Sequence, residues 1–187
     1  MKPSSVLLLL QLCCLQVAVL VSRSTCRLPE TLVQETHHRL RDLGGSIPNH
    51  CKTQTDQIHF PESILSHGAR RLPQCRWTSM LVYGALQGAQ LVFDDYVVPE
   101  GEGGVSWDSQ NLDLYQNVQY RLVEDHPCLN NTEASAALAP YFSNVTALIA
   151  QQDSAACGWQ VLRTDLLWVL KSTLHNRREC FNRTKAQ

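Results

Sequence analysis

The stretch Cys157-Gly158-Trp159-Gln160-Val161-Leu162-Arg163 decides the reading of this chain. It sets a cysteine, a tryptophan and an arginine at offsets 0, +2 and +6, at the head of a long apolar-periodic run. Offsets of that kind need a helix. The cysteine anchors the first turn, and Trp159, Leu162, Leu166, Val169 and Leu170 fall on or near one face at three- to four-residue spacing. Arg163 stands one residue past that stripe, where a long cation can reach solvent or a partner.

This helix is expected from about Ser154 to His175, and four helical pieces precede it. The first runs from about Pro29 to Leu43, with Leu32, Val33, Thr36, Leu40 and Leu43 on one face and Gly44-Gly45 as its stop. A second spans about Pro73 to Asp95, with Pro73 suited to its first turn. Its inward face uses Trp77, Leu81, Ala85 and either Leu91 or Val92. Gly84 and Gly88, four apart, either admit a close neighbour or weaken the helix; close packing is the favoured reading.

The third helix opens with Asp108 near its N-cap and runs to about Asp125, burying Leu112, Tyr115, Val118 and Leu122. His126-Pro127 ends it, because proline cannot continue the ladder. A fourth covers about Thr132 to Gln152 and buries Leu138, Tyr141 or Phe142, Val145, Leu148 and Ile149. Pro140 falls inside that pattern, so this helix either starts there or kinks. Strand-like alternation is almost absent, and an all-α bundle is the natural assembly.

Between the first two helices lies a connection of about thirty residues carrying Pro48, Cys51 and Pro61, long enough to be functional or pinned, and Cys51 is placed to pin it. A linker of that length lets two consecutive helices point the same way, because it can cross the full bundle. The segment Val97 to Trp107, with Pro99 and three glycines, reads as a loop. It lacks the GK[ST] ending and the preceding strand of a phosphate cradle.

Residues 1–24 read as a secretory signal peptide. Lys2 supplies the basic start, Val6 to Val21 is apolar apart from Gln11 and Gln16, and the small residues Ser22 and Ser24 suit cleavage. No later apolar run reaches ~18 residues, so no membrane insertion is expected. Residues 25–187, about 160 residues, suffice for one domain with its own core. Of the eight cysteines, Cys13 and Cys14 leave with the leader, and Cys26, Cys51, Cys75, Cys128, Cys157 and Cys180 remain. An even set in an oxidising compartment implies disulfides, although sequence alone does not choose the pairs.

No C-x-x-C occurs in this part and the histidines lack finger-like spacing, so zinc is not expected. The net charge is −1 and the basic residues are dispersed among acids, which argues against nucleic acid or another polyanion as partner. Three sequons, Asn130-Asn131-Thr132, Asn144-Val145-Thr146 and Asn182-Arg183-Thr184, make a glycan expected on at least one of Asn130, Asn144 and Asn182.

Taken in order, these motifs resemble the type I interferons. Cys157-x-Trp159-x-x-x-Arg163 resembles the signature of that family's C-terminal helix. Cys26-Arg27-Leu28-Pro29-Glu30 is similar to its Cys-x-Leu-Pro opening, and Cys51 followed by Phe60-Pro61 resembles its loop after the first helix. Trp107-Asp108 leading to Leu112 and Tyr115 is similar to the start of its third helix, and Tyr141-Phe142 follows in family order. The similarity covers nearly all of residues 25–187, although only the last motif is specific alone. Two features depart from the mammalian members: Pro140, and a Lys52-Thr53-Gln54-Thr55-Asp56 loop without the leucine and arginine that carry receptor contacts there. A non-mammalian vertebrate source fits that drift.

The resemblance implies an all-α, up-up-down-down helical cytokine bundle of five helices, disulfide-stapled, with a long first crossover loop. It also implies Cys26–Cys128 and Cys51–Cys157, each closing a loop of about 100 residues and contributing roughly 4–5 kcal/mol on the chain-entropy account. Cys75 and Cys180 lie outside that shared set. A third bridge between them, two free thiols and an intermolecular link all stay open.

No catalytic constellation stands out. The histidines form no HExxH, and His37-His38 cannot share one helix face. Asp94-Asp95 and Glu124-Asp125 sit at helix ends, where adjacent carboxylates are solvated. No enzyme, cofactor or metal is expected. The resemblance implies instead a two-chain type I interferon receptor of the class II cytokine receptor family, with JAK–STAT signalling and antiviral gene induction. One receptor chain would contact the first helix, the crossover loop and the fifth helix; the other would contact helices two, three and four.

Arg163, Leu167 and Lys171, four apart on one stripe, are the candidate contacts of the first surface. Trp168 is either an exposed anchor or a core residue. Arg163→Ala is expected to weaken receptor binding by about 1–2 kcal/mol with the bundle intact. The expected state is a monomer. Two other functions compete: another secreted helical cytokine of the type III interferon or interleukin-10 kind, and a non-signalling carrier. The carrier would need an unfilled interior of ~300 Å³ or more.

Overall fold

Side chains that cap helices, and glycines that stop them, divide the chain into its elements. The computed structural model describes residues 26–182 apart from 46, 56–57, 67–72, 102 and the side chain of Gln54. The expected signal peptide, residues 1–24, lies outside the described residues. The helices are α1 (Glu30–Asp42), α2 (Lys52–Thr55), α3 (Glu62–Ser66), α4 (Gln74–Asp95), α5 (Ser109–Glu124), α6 (Thr132–Ile149) and α7 (Ala155–Asn176). Short 3-10 turns lie at Asn49–Cys51, Pro127–Leu129 and Arg178–Cys180. The five long helices follow the apolar periodicity, and the short α2 and α3 lie in the crossover between α1 and α4.

The Asp108 carboxylate caps α5 by accepting from the Asn111 N–H at 2.7 Å, and the Asn131 side chain caps α6 by accepting from the Ala134 N–H at 2.9 Å. Gly44 and Gly45 both take φ of +77°, the left-handed turn that ends α1. Helix α6 starts at Thr132 and runs on through Pro140. The proline is exposed, so the carbonyl it deprives of a partner can turn to water.

Tertiary bonds fix the direction of each helix. Arg163, near the start of α7, reaches the carbonyls of Leu40 and Arg41 at the end of α1. Arg178, just past the end of α7, pairs with Glu30 at the start of α1. The two helices are therefore antiparallel. In α4, Ser79 near its start bonds the Cys180 carbonyl, while Phe93 near its end packs on Trp159. Helix α4 thus opposes α7 and runs parallel to α1. The Asp108 N–H at the head of α5 donates to Leu43, and Cys128 beyond its tail joins Cys26, so α5 opposes α1. Helices α1, α4, α5 and α7 run up-up-down-down, with α6 as the fifth.

Three disulfides staple this frame: Cys26–Cys128, Cys51–Cys157 and Cys75–Cys180, with Cα atoms 6.3, 5.3 and 4.6 Å apart. The second pins the crossover to the first turn of α7. The third holds the tail against α4, where Asn182 forms a one-pair parallel bridge with Pro29. The Asn182 N–H donates to Leu28 at 2.8 Å and its carbonyl accepts from Glu30 at 3.0 Å.

Trp159 lies at the centre of the core, wholly shielded from solvent. Its ring sits 4.7 Å from Phe93 and 6.1 Å, edge-on, from Trp107, and Phe93 in turn packs on Tyr115 at 5.8 Å. The stripe Leu162, Leu166, Val169 and Leu170 is buried throughout. On α4, Val92 turns inward, seven residues after Ala85, and Leu91 is left 58% exposed. Gly84 and Gly88 do admit a close neighbour: a Cβ on Gly84 would stand 3.2 Å from Leu138, and one on Gly88 would overlap the Phe142 ring. The two pairs also show that α6 runs alongside α4 in the same direction.

Candidate functional site

Residues spaced by four on a helix do not stay on one line. With 3.6 residues per turn, each step of four rotates the side chain by about 40°. The stripe Arg163, Leu167, Lys171 therefore drifts around α7, from the α1 interface to solvent. Arg163 is buried, at 8% exposure; Leu167 is half-buried against the core; Lys171 is exposed.

Arg163 turns inward rather than out to solvent. Its Nε donates to the Leu40 carbonyl at 3.0 Å, one terminal nitrogen to Gly45 at 3.2 Å and the other to Arg41 at 2.9 Å. The last carbonyls of α1 have no partner within the helix and carry its partial negative charge. A planar guanidinium with five donors suits these two acceptors together with the Gly45 carbonyl just beyond the helix. Burial lowers the Arg163 pKa from the usual arginine value. Gly45 completes this joint, because a Cβ there would crowd the Gln160 amide and the Trp107 ring.

Beyond Arg163 the helix presents a surface. Trp168 is 36% exposed and its ring lies 6.4 Å from Phe60 of the crossover, which meets Tyr141 of α6 edge-on at 5.3 Å. Trp168 is thus neither a core residue nor a free one: it covers the seam between crossover and α7. Lys171 acts on His37 of α1, whose pKa is lowered first by burial and then by the cations His38, Arg41 and Lys171. Leu167, Lys171 and the α1 histidines therefore form a mixed apolar and basic face on the α1 side of α7, and Trp168 borders it on the crossover side.

Asp165 stands on the crossover side of α7, lining the crossover–α7 groove, and escaped the sequence reading. Three residues after Leu162 and four before Val169, it stands half-buried at the edge of the apolar stripe, and a lone acid at that spacing is the signal that could have found it. Burial pushes its carboxyl up to about 6.

On the other side of the bundle, α4 and α6 flank a groove of ≈270 Å³, lined in part by Gly88, Leu91, Leu138 and Phe142. A second groove, ≈370 Å³, separates the crossover from α7 and includes the exposed Lys52, His59 and Thr164. Both are surface clefts rather than the unfilled interior a carrier requires. Two clusters of potential metal donors, His50–Cys51–Cys157 and Cys75–Glu179–Cys180, are built on disulfide sulfurs, which are not thiolate ligands. Asn130, Asn144 and Asn182 are all exposed; Arg183 and Thr184 of the last sequon lie outside the described residues. No described helix is long and apolar enough to cross a membrane.

No protein-family model matches the chain, and no curated protein matches it. Among solved structures the chain is similar to zebrafish interferon 2, with 25% identity and a TM-score of 0.63. The likeness covers 80% of this chain and 99% of the zebrafish protein. The chain is interferon-like, of the non-mammalian vertebrate kind: a helical cytokine bundle closed by disulfides, a fold whose family is not enzymatic.

Proposed function

We propose that this chain is a secreted type I interferon that binds a two-chain class II cytokine receptor as a monomer, starts JAK–STAT signalling and induces antiviral genes. The observation that supports it most is the up-up-down-down frame and its likeness to zebrafish interferon 2 over nearly all of that protein. One receptor chain docks on the α1–crossover–α7 face, with Leu167, Trp168 and Lys171 as contacts. Arg163 serves that surface from beneath, by holding the end of α1, rather than by touching the receptor. The second chain docks on α4, α5 and α6, where Leu91 and the α4–α6 groove are open. Glycans on Asn130, Asn144 or Asn182 leave from exposed positions.

The test applies disulfide-bonded residues 25–187 to cells of the source animal and reads STAT phosphorylation and antiviral transcripts. A response at nanomolar dose that vanishes when either type I receptor chain is deleted is the expected result. Silence refutes the signalling role. Dependence on a type III or interleukin-10-class receptor chain instead would reassign the protein to those relatives.

A further inference from the structure

The side of a helix that faces water normally carries charge. Helix α1 exposes Glu35, His38, Arg41 and Asp42, and α5 exposes Asp113, Arg121 and Glu124. The outer side of α6 departs from that rule. After Glu133 in its first turn, no charged side chain follows until Asp153. The exposed positions are filled by Ser135, Ala136, Ala139, Pro140, Ser143 and Ala147. Alanine and proline offer water nothing to bond, so such a face favours self-association unless something covers it.

The chain supplies a cover. Asn144, of the sequon Asn144-Val145-Thr146, is exposed on this side of α6, with Pro140 one turn before it and Ala147 one turn after. An N-linked oligosaccharide is bulky and solubilising. The other two acceptors adjoin no such face: Asn130 lies in the turn after the acidic end of α5, and Asn182 lies beside the Arg178–Glu30 pair.

We propose that Asn144 carries an N-linked glycan whose task is to cover the uncharged outer face of α6. This rests on the proposed secretion, because the sugar donor, an oligosaccharide on a lipid diphosphate, is met in the secretory pathway. The Asn144 amide nitrogen bonds to C1 of the first sugar as the C1–O bond to the diphosphate breaks. The lipid diphosphate leaves with that bonding pair, and the amide gives one proton to the transferase. In the folded helix the Thr146 hydroxyl, which completes the sequon, shares its proton between the Phe142 and Ser143 carbonyls at 2.9 and 3.1 Å. Transfer therefore precedes the closure of α6.

The glycan leaves the α4–α6 groove open. Phe142 and Thr146, which line that groove, stand two residues to either side of Asn144. At about 100° of rotation per residue, their side chains leave the helix on the opposite side. A partner can fill the groove with the sugar in place.

Expression of the full chain in vertebrate cells, with peptide mapping of the protein in the medium, tests the site. The Asn144 peptide should carry sugar, and glycosidase release in heavy-oxygen water should leave its label on that residue. Trimming the folded protein with an endoglycosidase should turn a monomer into associating species in sedimentation velocity, with helicity unchanged. Asn144→Gln should do the same. Adding Ala136→Glu and Ala147→Lys to Asn144→Gln, which charges the bare face, should restore the monomer. Trimmed protein that stays monomeric at every concentration where Asn144→Gln is tested, or a charged variant that still associates, would overturn the covering role. A secreted chain with bare Asn144 would remove the glycan alone, whereas a chain kept inside the cell without sugar would remove the secreted role along with it.

Discussion

The two halves of α7 differ in what surrounds them. From Cys157 to Arg163 every residue is buried, whereas from Thr164 to Lys171 only Leu166, Val169 and Leu170 are. The first half touches everything at once. Cys157 holds the crossover, Gly158 lies against Ile149 of α6, Trp159 packs on Phe93 and Trp107, and Arg163 binds the end of α1. The second half has solvent along one side. A signature that looks like a recognition motif is therefore framework, and the surface available to a partner begins one turn later.

Substitutions along α7 can break that division, and the largest effect belongs to its centre. Trp159→Ala should cost ~3–5 kcal/mol of stability in urea unfolding, because it empties the middle of the aromatic cluster. Arg163→Ala should cost about 2–4 kcal/mol, since it removes the donor of the Leu40 and Gly45 carbonyls in a closed joint, while the Arg41 carbonyl keeps the Gly44 N–H. This replaces the expectation of an intact bundle with weakened binding. Arg163→Lys should recover less than half of that, because an ammonium cannot serve three acceptors as a fork does. Gly158→Ala follows at ~1–3 kcal/mol: the new methyl would stand 2.9 Å from the Ile149 backbone nitrogen, which cannot move aside as a side chain can. Lys171→Ala belongs to the other half and should change stability by no more than ~0.5 kcal/mol. Thermal melts that rank Lys171→Ala with Arg163→Ala would erase the distinction.

Most of the frame was legible because it depends on periodic or local signals. The 3.6-residue spacing marked five long helices, Asp108 announced its own cap, and two glycines four apart on α4 announced a close neighbour. What stayed hidden depends on partners distant in sequence. Nothing near Arg163 reveals that the end of α1 lies beside it, and the fourfold spacing to Leu167 and Lys171 suggested one surface where the drift around the helix makes three environments. The bridge between Asn182 and the Leu28–Glu30 segment involves too few residues to leave a pattern. The short α2 and α3 escaped for the same reason. Asp165 went unmarked in the sequence, because its half-buried setting depends on the crossover lying alongside α7.

The most direct test measures binding of the Trp168→Ala/Lys171→Ala double variant to each of the two receptor ectodomains, alongside its melting temperature. Wild type should bind, and the double variant should bind one chain roughly 10- to 100-fold more weakly, a loss of about 1.4–2.8 kcal/mol, with a drop in stability smaller than that loss. Equal affinity for both chains would contradict the placement of the binding face on the second half of α7. So would a loss matched by an equal drop in stability.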